Sequence, residues 1–411
     1  MKRIVILAMV AALFLAPAIA TAACEVEGSG EVNVISNSFP VLELIANTMK
    51  ACANDNLKIE YKLTTEHKEE TAQALAASSS PYDLVQVSNT TIPAWQAAGQ
   101  LQPMNDLVDK YRDQYKLEDS MLIRIGGDIM AVAFQVNAQH LFYRTDLLEK
   151  HGIAVPKTYD EVLAAAEKLK NEESIEFPLG GTYKSGWNLA QEFINMFMGM
   201  GGEFFKPGTA EPSLNSEAGV KALEMMKKLM AYMSPNALAL DTTAIMQQFQ
   251  QGKIAMATLW ASRAAKMDDE AESKVVGLIE FTAAPSASKG AHPATTLWWD
   301  GFSLAKNMDG DRDLAFQMIM LGLSEEVVKA NNDVAIWLRS AYKPTRFSKG
   351  VAESAMGGAP SYPMQPQISM VHAAIGNNIG DFLAGKESAE ESLADVEAEY
   401  TKAAKEKGFI K

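Results

Sequence analysis

Short β-rich runs alternate with helical patterns near the start of the chain, and this alternation constrains the fold more than any other feature. Apolar runs at 32–35, 57–63 and 84–87 are separated by helical patterns at 41–53 and 69–77. Strands that alternate with helices at this spacing predict a parallel sheet covered by helices on both faces. Because ligands of such sheets bind beyond the carboxyl ends of the strands, the polar loops there are candidate binding segments.

The length of the chain predicts two lobes. A chain of 411 residues, 48% of them hydrophobic, exceeds what a single core usually covers. A second set of strand and helix patterns begins near Asn137, and no internal repeat is present. We therefore expect two separately packed α/β lobes.

The first residues predict export. Lys2 and Arg3 precede the apolar run 4–20, and small residues follow up to Ala23. This pattern is typical of a cleaved signal peptide, which we assign to residues 1–23. The alternative is a retained membrane anchor, but the run is short for a bilayer span. We therefore expect the mature protein to begin at Ala23 or Cys24.

The charge of the chain argues against nucleic acid and anionic lipid as partners. Asp and Glu number 51 against 37 Lys and Arg, which gives a formal net charge of −14. Removal of Lys2 and Arg3 with the signal peptide lowers this charge to −16. An acidic surface without a basic cluster repels polyanions.

The only cysteines are Cys24 and Cys52. In an oxidising compartment an even pair favours a disulfide, here between the start of the mature chain and the end of the first helix. The alternative is a lipid anchor on Cys24, since the preceding residues are small. However, the leucine usual three positions before a lipoprotein cysteine is absent.

One segment reads Phe-Tyr-Arg-Thr-Asp-Leu-Leu at 142–148 and continues with Pro-Lys-Thr-Tyr-Asp-Glu at 156–161. Taken in order with several other segments, it resembles the bacterial extracellular solute-binding proteins of the maltose-binding type. Tyr159 stands where tryptophan is commoner in the family. Each motif is weak alone, but the ordered set covers nearly the whole mature chain. The other matching segments are 82–87, 98–104, 249–256, 342–346 and 385–393.

The resemblance implies a periplasmic-binding-protein fold, in which two α/β lobes joined by crossing strands enclose a ligand cleft. It predicts lobe 1 from 24–135 and 302–345, and lobe 2 from 136–301 and 346–411 with the C-terminal helices. It also implies a monomeric periplasmic receptor that delivers a small molecule, expected to be a sugar, to the membrane permease subunits of an ABC importer. Alternatives are another polar solute such as a polyol or glycerol phosphate, and a sensory receptor subunit.

The family's ligand cleft, carried over to this sequence, predicts a set of binding residues from both lobes. They are Asn37, Ser88, Asn89, Asn137, Trp187, Trp260, Trp298, Trp299 and Asp300.

These residue types suit a sugar. Aromatic rings stack on its apolar C–H face, and carboxylates and amides bind its hydroxyl groups. Trp298 and Trp299 are adjacent on a strand and point to opposite faces, so at most one lines the cleft. A buried core position is the alternative for each tryptophan. We expect loss of Trp260 or Asp300 to weaken binding and spare the fold.

Other kinds of site find little support in the sequence. His67 lies in a polar turn near the cleft, where a solvated position is the simpler interpretation. The five histidines lack zinc-ligand spacing, and we predict no metal and no cofactor. Neither a Gly-x-Ser-x-Gly nor a His-Glu-x-x-His motif occurs, so no catalytic residue is assigned. A secreted glycoside hydrolase stays the least favoured alternative.

Overall fold

The computed structural model describes residues 24, 26–172 and 175–411, so the signal peptide predicted for 1–23 lies outside the described residues. The described residues form twelve strands in two sheets. The strands are β1 (Gly30–Ser36), β2 (Leu57–Leu63), β3 (Leu84–Ser88), β4 (Leu101–Gln102), β5 (Leu122–Ile125), β6 (Asp128–Asn137), β7 (Gln139–Arg144), β8 (Leu179–Gly180), β9 (Met256–Trp260), β10 (Ile279–Thr282), β11 (Trp298–Ala305) and β12 (Ile336–Trp337).

Helices surround both sheets. They are α1 (Pro40–Lys50), α2 (His67–Ala76), α3 (Ile92–Ala97), α4 (Asn105–Tyr111), α5 (Thr145–Lys150), α6 (Tyr159–Glu172), α7 (Trp187–Gly199), α8 (Glu217–Met230), α9 (Thr242–Gln250), α10 (Arg312–Gly322), α11 (Glu325–Ala330), α12 (Lys349–Met356), α13 (Ile368–Asn378), α14 (Gly380–Leu383) and α15 (Ala389–Glu406).

The first sheet has eight strands, with β2, β1, β3, β11, β6 and β12 in order, β4 beside β11 and β5 beside β6. β1 pairs in parallel with β2 and β3, and every residue of β3 is buried, as a strand with helices on both faces requires. The prediction of a parallel sheet is wrong for β11, which runs antiparallel to β3 and β6. β11 returns from the other half of the molecule without a crossover helix, so nothing sets it parallel.

The second sheet has the order β10, β7, β9, β8 and belongs to a separate apolar core. β6 passes into β7 with only Ala138 between them, so Phe134 lies in the core of the first sheet and Leu141 in that of the second. β11 likewise carries Trp298 in the second core and Phe302 in the first. The predicted fold of two α/β lobes joined by crossing strands is confirmed; the residue boundaries of the lobes stay a prediction.

Cys24 and Cys52 form a disulfide, and their Cα atoms are 5.5 Å apart. Cys52 is buried just beyond the end of α1, whereas Cys24 is exposed. The bond ties the start of the described chain to the first lobe. A thiol in a disulfide is not free to carry a lipid thioether.

We expect the intact mass of the purified exported protein to rise by two hydrogen atoms on reduction, because the disulfide is its one redox-active bond. Mass spectrometry with and without reductant measures this difference. A lipid adduct on Cys24, or two free thiols before reduction, would contradict the pairing.

Candidate functional site

Several strand ends meet at one edge of the first sheet. The parallel strands β1 and β3 end at Ser36 and Ser88. β11 runs the other way, so Asp300 near its start lies in register with Ser88 on one side and with Gln135 of β6 on the other. The polar loops after the parallel strands therefore meet the start of a crossing strand, and the second lobe faces them.

Asp300 is the acidic group at the centre of this edge. Its Oδ1 accepts a hydrogen bond from Nε2 of Gln86 (2.9 Å), and its Oδ2 accepts one from Nε2 of Gln135 (2.8 Å). Burial raises the pKa of the Asp300 carboxyl, while the two amides and the positive charge of Lys68 act in the opposite direction. Asp300 is thus a fixed acceptor whose remaining lone pairs can receive hydroxyl groups.

Side-chain amides also order the neighbouring loops. Oε1 of Gln86 accepts the backbone N–H of Asn37 at 2.9 Å, which links the loop after β1 to Asp300. Oδ1 of Asn89 accepts the backbone N–H of Trp299 at 2.8 Å, which joins the loop after β3 to β11. Asn37 and Asn89 therefore lie at the edge that carries Asp300.

The side chains of Ser88 and Asn137 form hydrogen bonds with other residues of the protein. Oγ of Ser88 lies 3.1 Å from Oγ1 of Thr90, and both residues are buried. Nδ2 of Asn137 donates to Oγ of Ser262 (3.2 Å), and its Oδ1 accepts the backbone N–H groups of Ser262 (3.3 Å) and Ala138 (3.1 Å). Asn137 therefore joins the crossing strand to the segment after β9 in the second lobe.

Three predicted tryptophans come together on the second lobe. The ring centroid of Trp187, at the start of α7, lies 6.2 Å from that of Trp260 and 5.8 Å from that of Trp298. Trp260 and Trp298 are 5.7 Å apart. His372 stacks on Trp187 at 4.9 Å, and Tyr362 lies 4.1 Å from Trp298. Trp187 is only partly buried, so it offers ring surface, whereas Trp260 and Trp298 pack into the second core.

Trp299 lies away from this cluster. It packs against an apolar group on the first lobe that includes Val85, Trp95 and Met130. Trp298, its neighbour on β11, joins the second core instead. Of the adjacent pair, Trp298 is thus the residue brought together with Trp187.

Lys68 brings the first lobe against the aromatic cluster. It is the second residue of α2, and its Nζ lies 4.1 Å from the ring centroid of Trp187. Burial lowers the pKa of Lys68 to about 8, although the negative charges of Asp300 and Glu69 favour its cation. The expectation of a solvated His67 beside it is wrong, because His67 begins α2 and is buried. The structure thus places Lys68, which the sequence analysis does not single out, at the contact between lobes.

A chain of buried hydrogen bonds runs from the tryptophans into the second lobe. Nε1 of Trp298 donates to Oγ1 of Thr296 (2.9 Å), whose hydroxyl donates to Oδ1 of Asn195 (2.9 Å). Nδ2 of Asn195 donates to Oε1 of Gln139, and Nε2 of Gln139 donates to Oε1 of Glu192 (2.9 Å). These bonds hold the Trp298 ring in one orientation within the cluster of tryptophans.

Glu192 ends this chain beside a small cavity that Tyr159, Gly181, Tyr183 and Met233 help to line. Its carboxylate also accepts a hydrogen bond from a threonine hydroxyl. Burial raises the pKa of Glu192 to about 7. Between about pH 4.5 and 7 the Glu192 carboxyl thus keeps its proton in the folded protein, whereas the unfolded chain releases it. Glu192 therefore stabilises the fold below this pH window, and its contribution is lost as the pH rises through it.

We expect Glu192→Gln to raise the free energy of unfolding at pH 8 by roughly 1 to 3 kcal/mol relative to the wild type, and to change it little at pH 5. Glutamine keeps the acceptor oxygen but cannot ionise. Denaturant titrations at both pH values measure the effect, with the exposed Glu167→Gln on α6 as the control. An equal effect of Glu192→Gln at pH 5 and pH 8 would contradict the assignment of a buried titrating carboxyl.

Comparison with known families decides what kind of protein has this two-lobed fold. The sequence model of a family described as bacterial extracellular solute-binding protein matches residues 43–316, about two thirds of the chain. The chain belongs to this family. The resemblance drawn from the sequence motifs is therefore confirmed. As the family's description says, its members bind solutes.

Individual relatives agree with that membership. A probable amino-acid ABC transporter periplasmic-binding protein of Sinorhizobium fredii is 23% identical over 265 residues, which are 63% of this solute-binding protein and 59% of the relative. A solute-binding protein of Agrobacterium radiobacter, solved with ribitol, has a TM-score of 0.79 at 24% identity and covers 91% of this chain and 98% of its own. A maltose-bound protein of T. maritima has a TM-score of 0.78 at 18% identity, with 91% and 99% covered.

The solved structures share the whole two-lobed fold, whereas the sequence matches are shorter. The chain spans 44% to 61% of the length of the first curated relatives it matches. Within the part of the solute-binding protein that the structure describes, no helix is both long and apolar enough to cross a membrane.

Proposed function

We propose that this protein captures a sugar or polyol between its lobes and delivers it to the permease of an ABC importer. The observation that carries the proposal is the meeting of two complementary surfaces. The second lobe presents Trp187, backed by Trp260 and Trp298, and the edge of the first sheet presents Asp300, on the crossing strand β11, held by two amides. A sugar has an apolar face for the rings and hydroxyl groups for the carboxylate.

The crossing strands supply the mechanism. The ligand binds the loops of one lobe, and closure adds contacts from the other, so the ligand favours the closed form by its differential affinity. Nζ of Lys68 in the first lobe lies 4.1 Å from the ring centroid of Trp187 in the second, a contact of the kind that closure of the lobes would form. The permease would recognise this closed shape.

The related proteins and the first residues support the rest of the proposal. The two solved relatives described above carry ribitol and maltose. We assign export to the signal peptide at 1–23, the periplasm as the location, and a monomer as the working form. The lobe division at 135/136, 301/302 and 345/346 is part of the same proposal. The protein releases its ligand chemically unchanged.

A thermal-shift panel of polyols, monosaccharides, oligosaccharides and amino acids tests the proposal, because a ligand that binds the native state raises its melting temperature. We expect sugars or polyols to raise it, with micromolar or tighter binding in calorimetry. Chromatography of the recovered ligand should show no conversion. Stabilisation by amino acids alone, or hydrolysis of an oligosaccharide, would overturn the proposed function.

A further inference from the structure

Arg263 is a partly buried cation, and one nitrogen of its guanidinium lacks a polar partner. It lies in the 3₁₀ segment Ala261–Asp268, which follows β9 directly. Nη1 of its guanidinium is buried and forms no hydrogen bond. Among the described residues no carboxylate oxygen lies within 4.0 Å of its nitrogen atoms, and its guanidinium lies 5.5 Å from the ring centroid of Phe39. A guanidinium donor left unpaired in this way costs free energy that a ligand oxygen would recover.

The position of Arg263 is between the lobes. Phe39 belongs to the loop after β1 in the first lobe, whereas Arg263 belongs to the second. Ser262, next to it, binds Asn137 at the crossing strand. This segment begins directly after Trp260, the last residue of β9. The unpaired donor therefore lies at the contact between the lobes, three residues along the chain from the tryptophan cluster.

The two carboxylates whose negative charges act on Arg263 form hydrogen bonds with other residues. Glu43 accepts a hydrogen bond from Oγ of Ser38 (3.2 Å). Asp241 accepts the backbone N–H of Ala244 at the start of α9 (3.1 Å). Both favour the Arg263 cation from a distance, yet burial still lowers its pKa to about 10. The protein thus keeps a desolvated positive charge here without an internal counter-ion in contact.

Two cations lie at the contact between the lobes. Nζ of Lys68 lies over the ring of Trp187, and the guanidinium of Arg263 lies over the ring of Phe39. The charges of Asp300 and Glu69 act on Lys68, whereas Nη1 of Arg263 is a buried donor without a partner. A ligand carboxylate would bring one negative charge to this guanidinium, whereas a phosphate monoester would bring close to two.

Resting on the proposed function, we propose that the ligand is a sugar acid, a sugar or polyol chain that carries one carboxylate. The carboxylate binds the Arg263 guanidinium, whose planar fork matches its two oxygens. The apolar face of the ligand lies on Trp187, which Trp260 backs. Its hydroxyl groups bind Asp300, whose negative charge acts on Lys68.

Matched ligand pairs test this inference by calorimetry on the mature protein. The pairs are D-gluconate with D-glucitol, D-glucuronate with D-glucose, and D-galacturonate with D-galactose. We expect the acid of at least one pair to bind about 10- to 100-fold more tightly than its neutral partner. D-glucose 6-phosphate is expected to bind more weakly than D-glucuronate.

Variants then assign the effect to Arg263. Arg263→Gln should remove most of the advantage of the acid over its neutral partner, and Arg263→Lys should retain part of it. Lys266→Gln on the same segment is the matched control, since Lys266 pairs with Asp269 at 2.9 Å. Melting temperatures without ligand report whether each variant folds.

Each outcome separates the inference from the proposed function. Neutral sugars that bind as tightly as their acids, or an acid preference that survives Arg263→Gln in a folded variant, would overturn the sugar-acid inference and leave the sugar-binding function standing. Tighter binding of the phosphate would overturn the choice of a carboxylate. Failure of every sugar, polyol and sugar acid to bind would overturn both.

Discussion

Asp300→Asn is expected to weaken binding of the sugar ligand by about 10- to 100-fold, because each charge-assisted hydrogen bond to a hydroxyl contributes roughly 1.5 to 3 kcal/mol. The fold should survive this change. Oε1 of Gln135 has no hydrogen-bond partner and is buried, so its amide can rotate and accept from the new side-chain NH₂ group. Gln86 can keep its bond to the remaining oxygen.

Calorimetry measures this loss, and melting without ligand measures the fold. Asp309→Asn is the matched control, because Asp309 is an exposed carboxylate in the turn beyond the other end of β11. Normal binding by folded Asp300→Asn would remove Asp300 from the site. A large drop in melting temperature would instead make Asp300 a structural residue.

Trp260→Ala is expected to lower the free energy of unfolding by about 3 to 5 kcal/mol, as large-to-small changes of buried aromatic residues do. Trp260 is only 9% exposed and packs between Trp187 and Trp298. From the sequence alone we expect this change to spare the fold, but the burial of the ring makes a loss of stability the expected result.

Denaturant titration checks this value, and Trp187→Ala is the comparison. Trp187 is partly exposed, so Trp187→Ala should weaken ligand binding but lower the free energy of unfolding less than Trp260→Ala does. Unchanged stability in Trp260→Ala together with lost binding would restore the interpretation of Trp260 as a pure ligand contact.

The sequence predicts the α/β lobes and the polar loops at the strand ends because their signals are local. Alternating strand and helix patterns indicate the α/β fold, and the polar loops after β1 and β3 follow directly from where the apolar runs end. The antiparallel direction of β11 depends on how the chain crosses between lobes. No local pattern encodes that crossing.

The partners of Asp300 carried a signal in the sequence that could have been used. Gln86 lies between Val85 and Val87 in an apolar run, and Gln135 follows Phe134 in another. A polar side chain inside a buried strand needs a hydrogen-bond partner, so each predicts a polar neighbour across the sheet. Pairing them with Asp300 required the register of β3, β6 and β11.

Lys68 and Arg263 could not be recognised as cleft residues from local sequence. Lys68 lies among charged residues and Arg263 among small ones, and each is near the start of a helical segment. Their importance comes from the opposite lobe, because Lys68 meets Trp187 and Arg263 meets Phe39 only after the chain has folded. Contacts between lobes depend on the whole path of the chain.

Small-angle scattering of the mature protein with and without its ligand tests the central claim most directly, that the ligand is held between two lobes which close around it. We expect the radius of gyration to fall when the tightest ligand of the panel is added at saturation. The ligand-free protein should be the more open form, with Lys68 and Trp187 apart. A radius of gyration that does not change with a tightly bound ligand would contradict closure and place the ligand outside the cleft.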